Sequence, residues 1–285
     1  RIRLGALLFV VQVYSEEWSN QDDICNKPSV AGLIGSRPQL YFFGDSITEY
    51  GGNMNGWVTL VSEKYVRRAD VFNRGYSGYS TAHARPILEG LAADRQGTGV
   101  SHRHPVLATI FFGANDSCGP ESFQWVPIEI FSLNLAAMIR LLREAYPGVV
   151  TVVITPPPVD EAKFAGLSWL QQSGRTLGRA ASYAAEAVKV ALEEGSPYID
   201  LFSSMVQRED WKGMLSDGLH LSPAGDTFLA RLFLDLVRRH PDASPFNPDN
   251  MASHFPPFGA FMDVDHTTIT RLCEWPDGHG QYCVE

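Results

Sequence analysis

The stretch of sequence that decides the fold is PVLATIFFGAND, residues 105–116. It is almost continuously apolar until it stops abruptly at Gly, Ala, Asn and Asp. A continuous apolar run of this length, closed by turn residues, is typical of a parallel strand that is buried on both faces. We therefore predict a central β-strand here, in a sheet covered by helices on both sides.

Working outward, short apolar runs alternate with longer amphipathic segments along residues 40–239. Strands separated by helical segments imply right-handed crossovers and a mostly parallel sheet, which is the α/β class. The last helix is predicted to begin at Ser222-Pro223, with serine as its N-cap and proline in its first turn. The predicted strands are residues 39–43, 70–75, 105–112, 149–155 and 198–202, and the predicted helices are residues 56–69, 128–146, 176–194 and 222–239.

Composition and charge limit the function classes. The chain has 285 residues, 45% of them hydrophobic, and a net charge of −9, which disfavours a nucleic acid or an anionic membrane as a partner. We predict an N-terminal extension over residues 1–36 that is signal-like or disordered, a globular domain over 37–240 and a tail over 241–285 that packs on the domain. The chain is predicted to be cytoplasmic, with secretion as the alternative if residues 1–18 are a signal peptide, and without stable membrane insertion.

Cysteine and histidine usage gives no metal or cofactor site. The four cysteines are too scattered for a disulfide scaffold, although a Cys273–Cys283 bridge stays open. His102 and His104 form a His-x-His pair beside a proline, which is more often a loop than a zinc site. We therefore predict that the chain uses neither a metal nor a cofactor.

The ends of the predicted strands carry residues suited to acyl transfer. Ligands of an open parallel sheet bind beyond the carboxyl ends of its strands. Ser46 follows the first strand, while Asp217 and His220 precede the last helix. A serine hydroxyl needs an imidazole to take its proton, and the imidazole needs a carboxylate to orient it. We predict that Ser46, His220 and Asp217 form this set, whereas Gly-Asp-Ser alone would suit a helix cap equally well.

Acyl transfer also needs donors for the negative oxygen of the tetrahedral intermediate. Three candidates follow strand ends: the backbone amides of Ser46 and Gly75 and the side-chain amide of Asn115. Asp116 is expected to cap the segment that follows it, and Asp45 to buttress the turn at Ser46 by hydrogen bonding.

Four blocks, FFGDSIT (42–48), NRGYSGY (73–79), FFGANDS (111–117) and SDGLHLSPAG (216–225), together resemble the SGNH (GDSL-type) hydrolases. The letters S, G, N and H of that name fall on Ser46, Gly75, Asn115 and His220. Within that superfamily the chain is most similar to the isoamyl acetate-hydrolysing esterases, and the similarity covers residues 40–236. The resemblance implies a three-layer, flavodoxin-like α/β/α fold, a Ser-His-Asp triad without metal, and hydrolysis of short-chain acyl esters.

We therefore expect a serine esterase whose partner is a small-molecule ester, and a homodimer stays open. A carbohydrate O-deacetylase, a lysophospholipase or a thioesterase is the neighbouring alternative, because the superfamily uses one triad for many substrates. A catalytically silent binding protein is the alternative from another class, but every catalytic position holds the required residue. Trp57, Tyr79, Trp125 and the aromatic residues in 255–261 are expected to wall a short pocket.

Overall fold

The computed structural model describes residues 37–97, 105–164 and 173–253, without the side chains of residues 91–97. Within these ranges five strands form one sheet in which every neighbouring pair is parallel, in the order β2-β1-β3-β4-β5. This confirms the predicted α/β class and the flavodoxin-like strand order. The strands are β1 Gln39–Gly44, β2 Asp70–Gly75, β3 Pro105–Phe111, β4 Val150–Ile154 and β5 Tyr198–Ile199.

Helices cover both faces of this sheet. Within the described residues two 3₁₀ turns, Trp211–Met214 and Ser244–Phe246, accompany them. The α-helices are α1 Ser46–Tyr50, α2 Trp57–Lys64, α3 Thr81–Gly97, α4 Ile128–Ala145, α5 Glu161–Phe164, α6 Leu177–Glu193, α7 Leu201–Val206 and α8 Pro223–Arg239.

The core has two parts, one on each side of the sheet. Successive strand residues point to opposite faces, so Phe42 belongs to one part and Phe43 to the other. Helices α2 and α8 pack on the face of Phe42, whereas α3 and α4 pack on the face of Phe43. Helix α4 is amphipathic, and its apolar face is buried against the sheet: Leu135, Met138, Ile139 and Leu142.

Helix ends follow the predicted signals. Ser222 caps α8, where its Oγ accepts the N–H of Gly225 at 3.4 Å, and Pro223 is the first helical residue. Thr176 caps α6 in the same way. Gly195 follows the end of α6 with φ +58°, the left-handed conformation that glycine adopts most readily.

Residues 241–253, the described part of the predicted tail, pack against the domain. Ala243 is fully buried, and the Tyr65 hydroxyl donates to the Phe246 carbonyl at 2.7 Å. No helix of the described residues is long and apolar enough to cross a bilayer. Several sequence predictions lie outside the described residues: the extension 1–36, His102, His104, the aromatic residues in 255–261, Cys273 and Cys283.

The sheet order places a crevice beside β1. The chain leaves β1 to form β2 on one side and then crosses to form β3 on the other side. Crossovers that diverge in this way leave an open crevice at the carboxyl ends of the two central strands, and ligands bind there in α/β proteins. Ser46 follows β1 and Asn115 follows β3, so the fold brings both residues to this crevice.

Candidate active site

Ser46 is the first residue of α1, directly after β1, and only 6% of its surface is exposed. Asp45 caps this short helix, because its Oδ1 accepts the N–H of Ile47 at 2.9 Å. Gly44 lets the turn fold back tightly: a Cβ there would lie 2.8 Å from the Phe111 carbonyl oxygen and 2.1 Å from Thr48 Oγ1. The chain is thus held in a sharp strand-to-helix turn that turns Ser46 toward the crevice.

His220 is placed by the loop that precedes α8. Asp217 Oδ1 accepts the backbone N–H groups of Leu219 and His220, at 2.9 and 2.8 Å. Gly218 has φ +96° and fits tightly against α5, where a Cβ would lie 2.7 Å from the Asp160 carbonyl oxygen. This compact turn fixes the position of the imidazole ring relative to its own carboxylate.

The structure brings the three predicted residues together in one hydrogen-bonded chain. Ser46 Oγ lies 2.9 Å from His220 Nε2, and His220 Nδ1 lies 2.6 Å from Asp217 Oδ2. With Asp217 ionised, Nδ1 carries the proton and donates it to the carboxylate, so Nε2 is left to accept from the serine hydroxyl. The arrangement can therefore remove a proton from Ser46.

The electrostatics of Asp217 suit this arrangement. Partial burial opposes its ionisation, but hydrogen bonds from the His220 ring and from the backbone of His220 and Leu219 outweigh burial and lower the pKa of Asp217 to about 2. The carboxylate is therefore negative at neutral pH. It can hold the ring in one tautomer and stabilise the imidazolium that forms when Ser46 loses its proton.

The predicted donor Gly75 does not fit the oxyanion role, and this expectation needs correction. Its N–H already donates to Asn73 Oδ1 at 2.9 Å. Gly75 is required for packing instead, because a Cβ there would lie 2.0 Å from the backbone nitrogen of Glu49 in α1. Three residues later Gly78 has φ +80°, and its N–H has no acceptor among the described residues.

Asn115 is buried next to the turn that contains Gly78. Its Nδ2 donates to the Tyr79 carbonyl at 2.9 Å, which leaves one N–H of this amide for another acceptor. Its Oδ1 accepts from Arg175 Nη2 at 2.7 Å and from Gln124 Nε2 at 3.1 Å. The sequence identifies Asn115 but not Gly78, Arg175 and Gln124. Gly78 shares the block NRGYSGY with Gly75, and a single Arg or Gln follows no recognisable pattern.

Two acidic residues near the site are structural. The expectation that Asp116 caps the segment that follows it is wrong. Asp116 instead caps the start of α3, where its Oδ1 accepts the N–H of Thr81 at 2.9 Å. Asp45 buttresses the turn at Ser46 through Ile47, as predicted. Complete burial raises the pKa of Asp45 to about 7 and that of Asp116 to about 6.

A cleft of about 240 Å³ adjoins His220. Its lining mixes apolar and polar side chains from α1, the loop that follows α1, the loop that precedes α8 and the start of α8: Ile47, Tyr50, Asn53, Met54, Asn55, Ser216, His220, Leu221, Pro223 and Asp226. Tyr50 packs beside the His220 ring, with centroids 5.3 Å apart.

The expectation that Trp57 walls the pocket is wrong. Trp57 is fully buried, its ring stacks on Phe42, and its Nε1 donates to the Ile47 carbonyl beneath α1.

No group of three or more His, Cys, Asp or Glu side chains that could hold a metal occurs within residues 37–97, 105–164 and 173–253. Cys118 is buried, and its thiol is free. Its Sγ lies 3.8 Å from Gln124 Oε1, behind Asn115 rather than in the crevice.

Comparisons with known proteins agree on one family. The model of the GDSL-like lipase/acylhydrolase family matches residues 42–227. The isoamyl acetate-hydrolyzing esterase 1 homolog of Bos taurus is 40% identical over 220 residues, which cover 73% of this chain and 85% of the relative. A GDSL esterase/lipase of Arabidopsis thaliana is 36% identical over 231 residues, 77% of this chain and 92% of its own. A lipase/acylhydrolase from Enterococcus faecalis superposes with a TM-score of 0.55 at 25% identity, covering 70% of this chain and 95% of that structure.

Proposed function

We propose that this chain, which belongs to the GDSL-like lipase/acylhydrolase family and is a carboxylic ester hydrolase, cleaves short-chain acyl esters with Ser46 as its nucleophile. The observation that carries the proposal is the hydrogen-bonded chain from Ser46 Oγ through the His220 ring to Asp217. Each group stands where general-base activation of a serine needs it.

In the first half of the proposed reaction, His220 Nε2 takes the hydroxyl proton while Ser46 Oγ bonds to the carbonyl carbon of the ester. The carbonyl oxygen becomes negative, and the imidazolium is stabilised by Asp217. Collapse of the tetrahedral intermediate breaks the bond to the alcohol oxygen, which takes the proton from His220 and leaves. The acyl group stays on Ser46.

In the second half, a water molecule gives a proton to His220 and its oxygen attacks the acyl carbon. The second intermediate collapses, the Ser46 oxygen recovers the proton, and a carboxylic acid leaves. The net reaction converts one ester and one water into one acid and one alcohol. His220 takes up and returns the proton in each half of the reaction.

The negative oxygen of each intermediate is assigned to three donors. They are the N–H of Ser46, the N–H of Gly78 and the second N–H of the Asn115 amide. Gly78 replaces Gly75 in this set because the Gly75 N–H is bound to Asn73, whereas the N–H groups of Ser46 and Gly78 have no acceptor among the described residues. Donors aimed at a developing charge are among the largest contributions to catalysis.

The cleft beside His220 is assigned to the alcohol, because His220 must protonate that oxygen as it leaves. The side chains of Ile47, Met54 and Leu221 give the cleft an apolar wall suited to a small apolar alcohol. The name of the bovine relative, an isoamyl acetate-hydrolyzing esterase homolog, describes an ester of that kind.

A carbohydrate O-deacetylase is the second candidate. The same cleft also carries Asn53, Asn55 and Asp226, and these polar groups could bind the hydroxyls of a sugar alcohol. Acetylated xylan and an apolar acetate ester, compared at equal acetyl concentration, separate the two candidates. A higher kcat/KM on the xylan would favour the deacetylase.

The acyl-chain length is tested with p-nitrophenyl esters from acetyl to palmitoyl, with Ser46→Ala as the blank. Each methylene gains about 0.8 kcal/mol only while it stays inside the site. We expect kcat/KM to peak between acetyl and butyryl and to fall sharply by octanoyl. A rate that kept rising to dodecanoyl or palmitoyl would contradict the short-chain assignment and favour a lipase or thioesterase.

A further inference from the structure

We propose that Arg175 is a positioning residue that holds the Asn115 amide toward the negative oxygen of the intermediate and strengthens its N–H as a donor. The proposal rests on the proposed function, in which Asn115 is one of the three oxyanion donors. It assigns a part in the reaction to a residue that does not itself touch the substrate.

Arg175 is buried against the strand-end loop that carries Asn115, with 8% of its surface exposed. Its Nε donates to the Ala114 carbonyl at 3.0 Å, and its Nη2 donates to Asn115 Oδ1 at 2.7 Å and to Gln124 Oε1 at 3.0 Å. One guanidinium thus binds the backbone just before Asn115, the Asn115 side chain and the Gln124 side chain.

The segment that carries Arg175 is pressed onto the same loop. The Gly119 N–H donates to the Ser173 carbonyl at 2.7 Å. Gly174, with φ +61°, lies so close to Gly119 that a Cβ on Gly174 would be 2.8 Å from the Gly119 Cα. This close backbone approach places Arg175 behind Asn115 rather than in solvent.

The contacts of Arg175 determine which way the amide of Asn115 faces. A flipped Asn115 would set its NH₂ against the donors of Arg175 and Gln124, and its oxygen against the Tyr79 carbonyl. Gln124 is itself fixed, because its Nε2 donates to the Gly78 carbonyl at 2.8 Å while its Oε1 accepts from Arg175. Arg175 therefore orients Asn115 both directly and through Gln124, and the same network reaches the Gly78 turn.

The charge of Arg175 gives it a second effect. Arg175 forms no ion pair within 4 Å among the described residues, and the acceptors of its hydrogen bonds are neutral carbonyl and amide oxygens. Burial lowers the pKa of Arg175, but arginine stays protonated in proteins. Hydrogen bonds in series polarise one another. A cation bound to Asn115 Oδ1 therefore draws electron density toward that oxygen and makes the Nδ2–H groups stronger donors. A neutral side chain of the same shape would not do this.

The test is a double-mutant cycle between Arg175→Met and Asn115→Ala, with kcat and KM measured on p-nitrophenyl acetate. We expect Arg175→Met to lower kcat by about 10- to 100-fold with KM within about twofold, because the lost interaction acts on the oxyanion. In the Asn115→Ala background the same change should lower kcat by less than about threefold, because residues that act as a unit are not additive. Arg175→Lys keeps the positive charge but cannot donate to Ala114 and Asn115 with the geometry of a guanidinium, so its kcat should lie between those of Arg175→Met and the parent.

Arg179→Met is the matched control, since Arg179 lies one helical turn along the chain and its guanidinium makes no hydrogen bond to another described residue. It should keep the parent kcat. If Arg175→Met does not fold, Gln124→Met removes the second donor to Asn115 Oδ1. It should lower kcat by about 3- to 10-fold with an unchanged KM, a smaller loss because the guanidinium still donates to Oδ1.

Three results are distinguishable. An equal loss of kcat for Arg175→Met with and without Asn115, or a change in KM alone, would overturn the proposal for Arg175. If Gln124→Met is needed, parent kcat in that variant would overturn it as well. If Asn115→Ala itself kept the parent kcat, the oxyanion role of Asn115 in the proposed function would fail first.

Discussion

Ser46 and His220 are 174 positions apart in the sequence, yet Ser46 Oγ lies 2.9 Å from His220 Nε2. Two sharp turns bring them together, one after β1 and one before α8. Each turn depends on a glycine that packs against backbone atoms, Gly44 in the first and Gly218 in the second. The site is therefore held by the fold itself, and its parts can be tested separately.

The first prediction concerns the imidazole and its carboxylate. We expect His220→Ala to lower kcat by about 10⁴- to 10⁶-fold, because no other group takes the Ser46 proton. Asp217→Asn should cost less, about 10²- to 10⁴-fold, because the ring remains but loses its preferred tautomer. Initial rates on p-nitrophenyl acetate measure both changes.

Asp235→Asn is the control for this pair, since Asp235 lies on α8 and pairs with Arg238 at the surface. It should keep the parent rate. If Asp217→Asn were also as active as the parent, a different carboxylate would have to orient His220.

The second prediction separates packing from catalysis at Gly75. A methyl group there would lie 2.0 Å from the backbone nitrogen of Glu49, and backbone atoms cannot move aside without displacing α1. Gly75→Ala should therefore lower the free energy of unfolding by several kcal/mol, about 3 or more, or prevent folding. Thermal unfolding followed by circular dichroism measures the effect.

Gly90→Ala is the matched control, because Gly90 lies inside α3 and has open space around its Cα. It should leave stability unchanged or raise it by about 0.5–1 kcal/mol, since alanine favours a helix more than glycine. A Gly75→Ala protein as stable as the parent would contradict the close approach of β2 and α1.

The sequence alone predicted the parts of this structure that follow a repeating pattern. The apolar run that becomes β3 and the amphipathic segment that becomes α4 are predicted because burial of a strand or of one helix face leaves a recognisable apolar pattern. Ser46, His220 and Asp217 were identified because their chemistry requires those residue types. These predictions depend on local sequence. The structure contains β3 and α4 at the predicted positions and brings the side chains of Ser46 and Asp217 within hydrogen-bonding distance of the His220 ring.

The remaining parts depend on contacts between distant segments. Gly75 ends β2 and Gly78 lies three residues beyond it, and only the bond from the Gly75 N–H to Asn73 distinguishes them as oxyanion donors. Asp116 looked like a local cap, but its partner Thr81 is 35 positions away. Arg175 follows no local pattern, and only the packing of Gly174 on Gly119 brings it to Asn115.

The third prediction concerns pH and stability. Burial raises the pKa of Asp226 from 3.8 to about 6, although its Oδ1 accepts the N–H of Trp57 at 3.0 Å. The folded chain thus binds this proton more tightly than the unfolded chain. The contribution of Asp226 to stability is full below about pH 4 and is lost as pH rises through about 6.

Asp226→Asn keeps an oxygen for the Trp57 N–H but does not titrate. The decrease in melting temperature between pH 4.5 and pH 7.5 should therefore be smaller in Asp226→Asn than in the parent. Part of the decrease should persist, because Asp45 and Asp116 also have raised pKa values. An unchanged decrease in the variant would mean that Asp226 titrates alike in the folded and unfolded chain.

The most direct test of the central claim, that Ser46 is the nucleophile of an esterase, is labelling with a fluorophosphonate followed by peptide mass spectrometry. We expect one phosphonyl group per chain on Ser46, with loss of ester hydrolysis in proportion to labelling. Ser46→Ala should be neither labelled nor active, yet should unfold at the parent temperature, because the change removes one hydroxyl and no core volume. Labelling of another residue, or a Ser46→Ala protein within tenfold of the parent rate, would contradict the account.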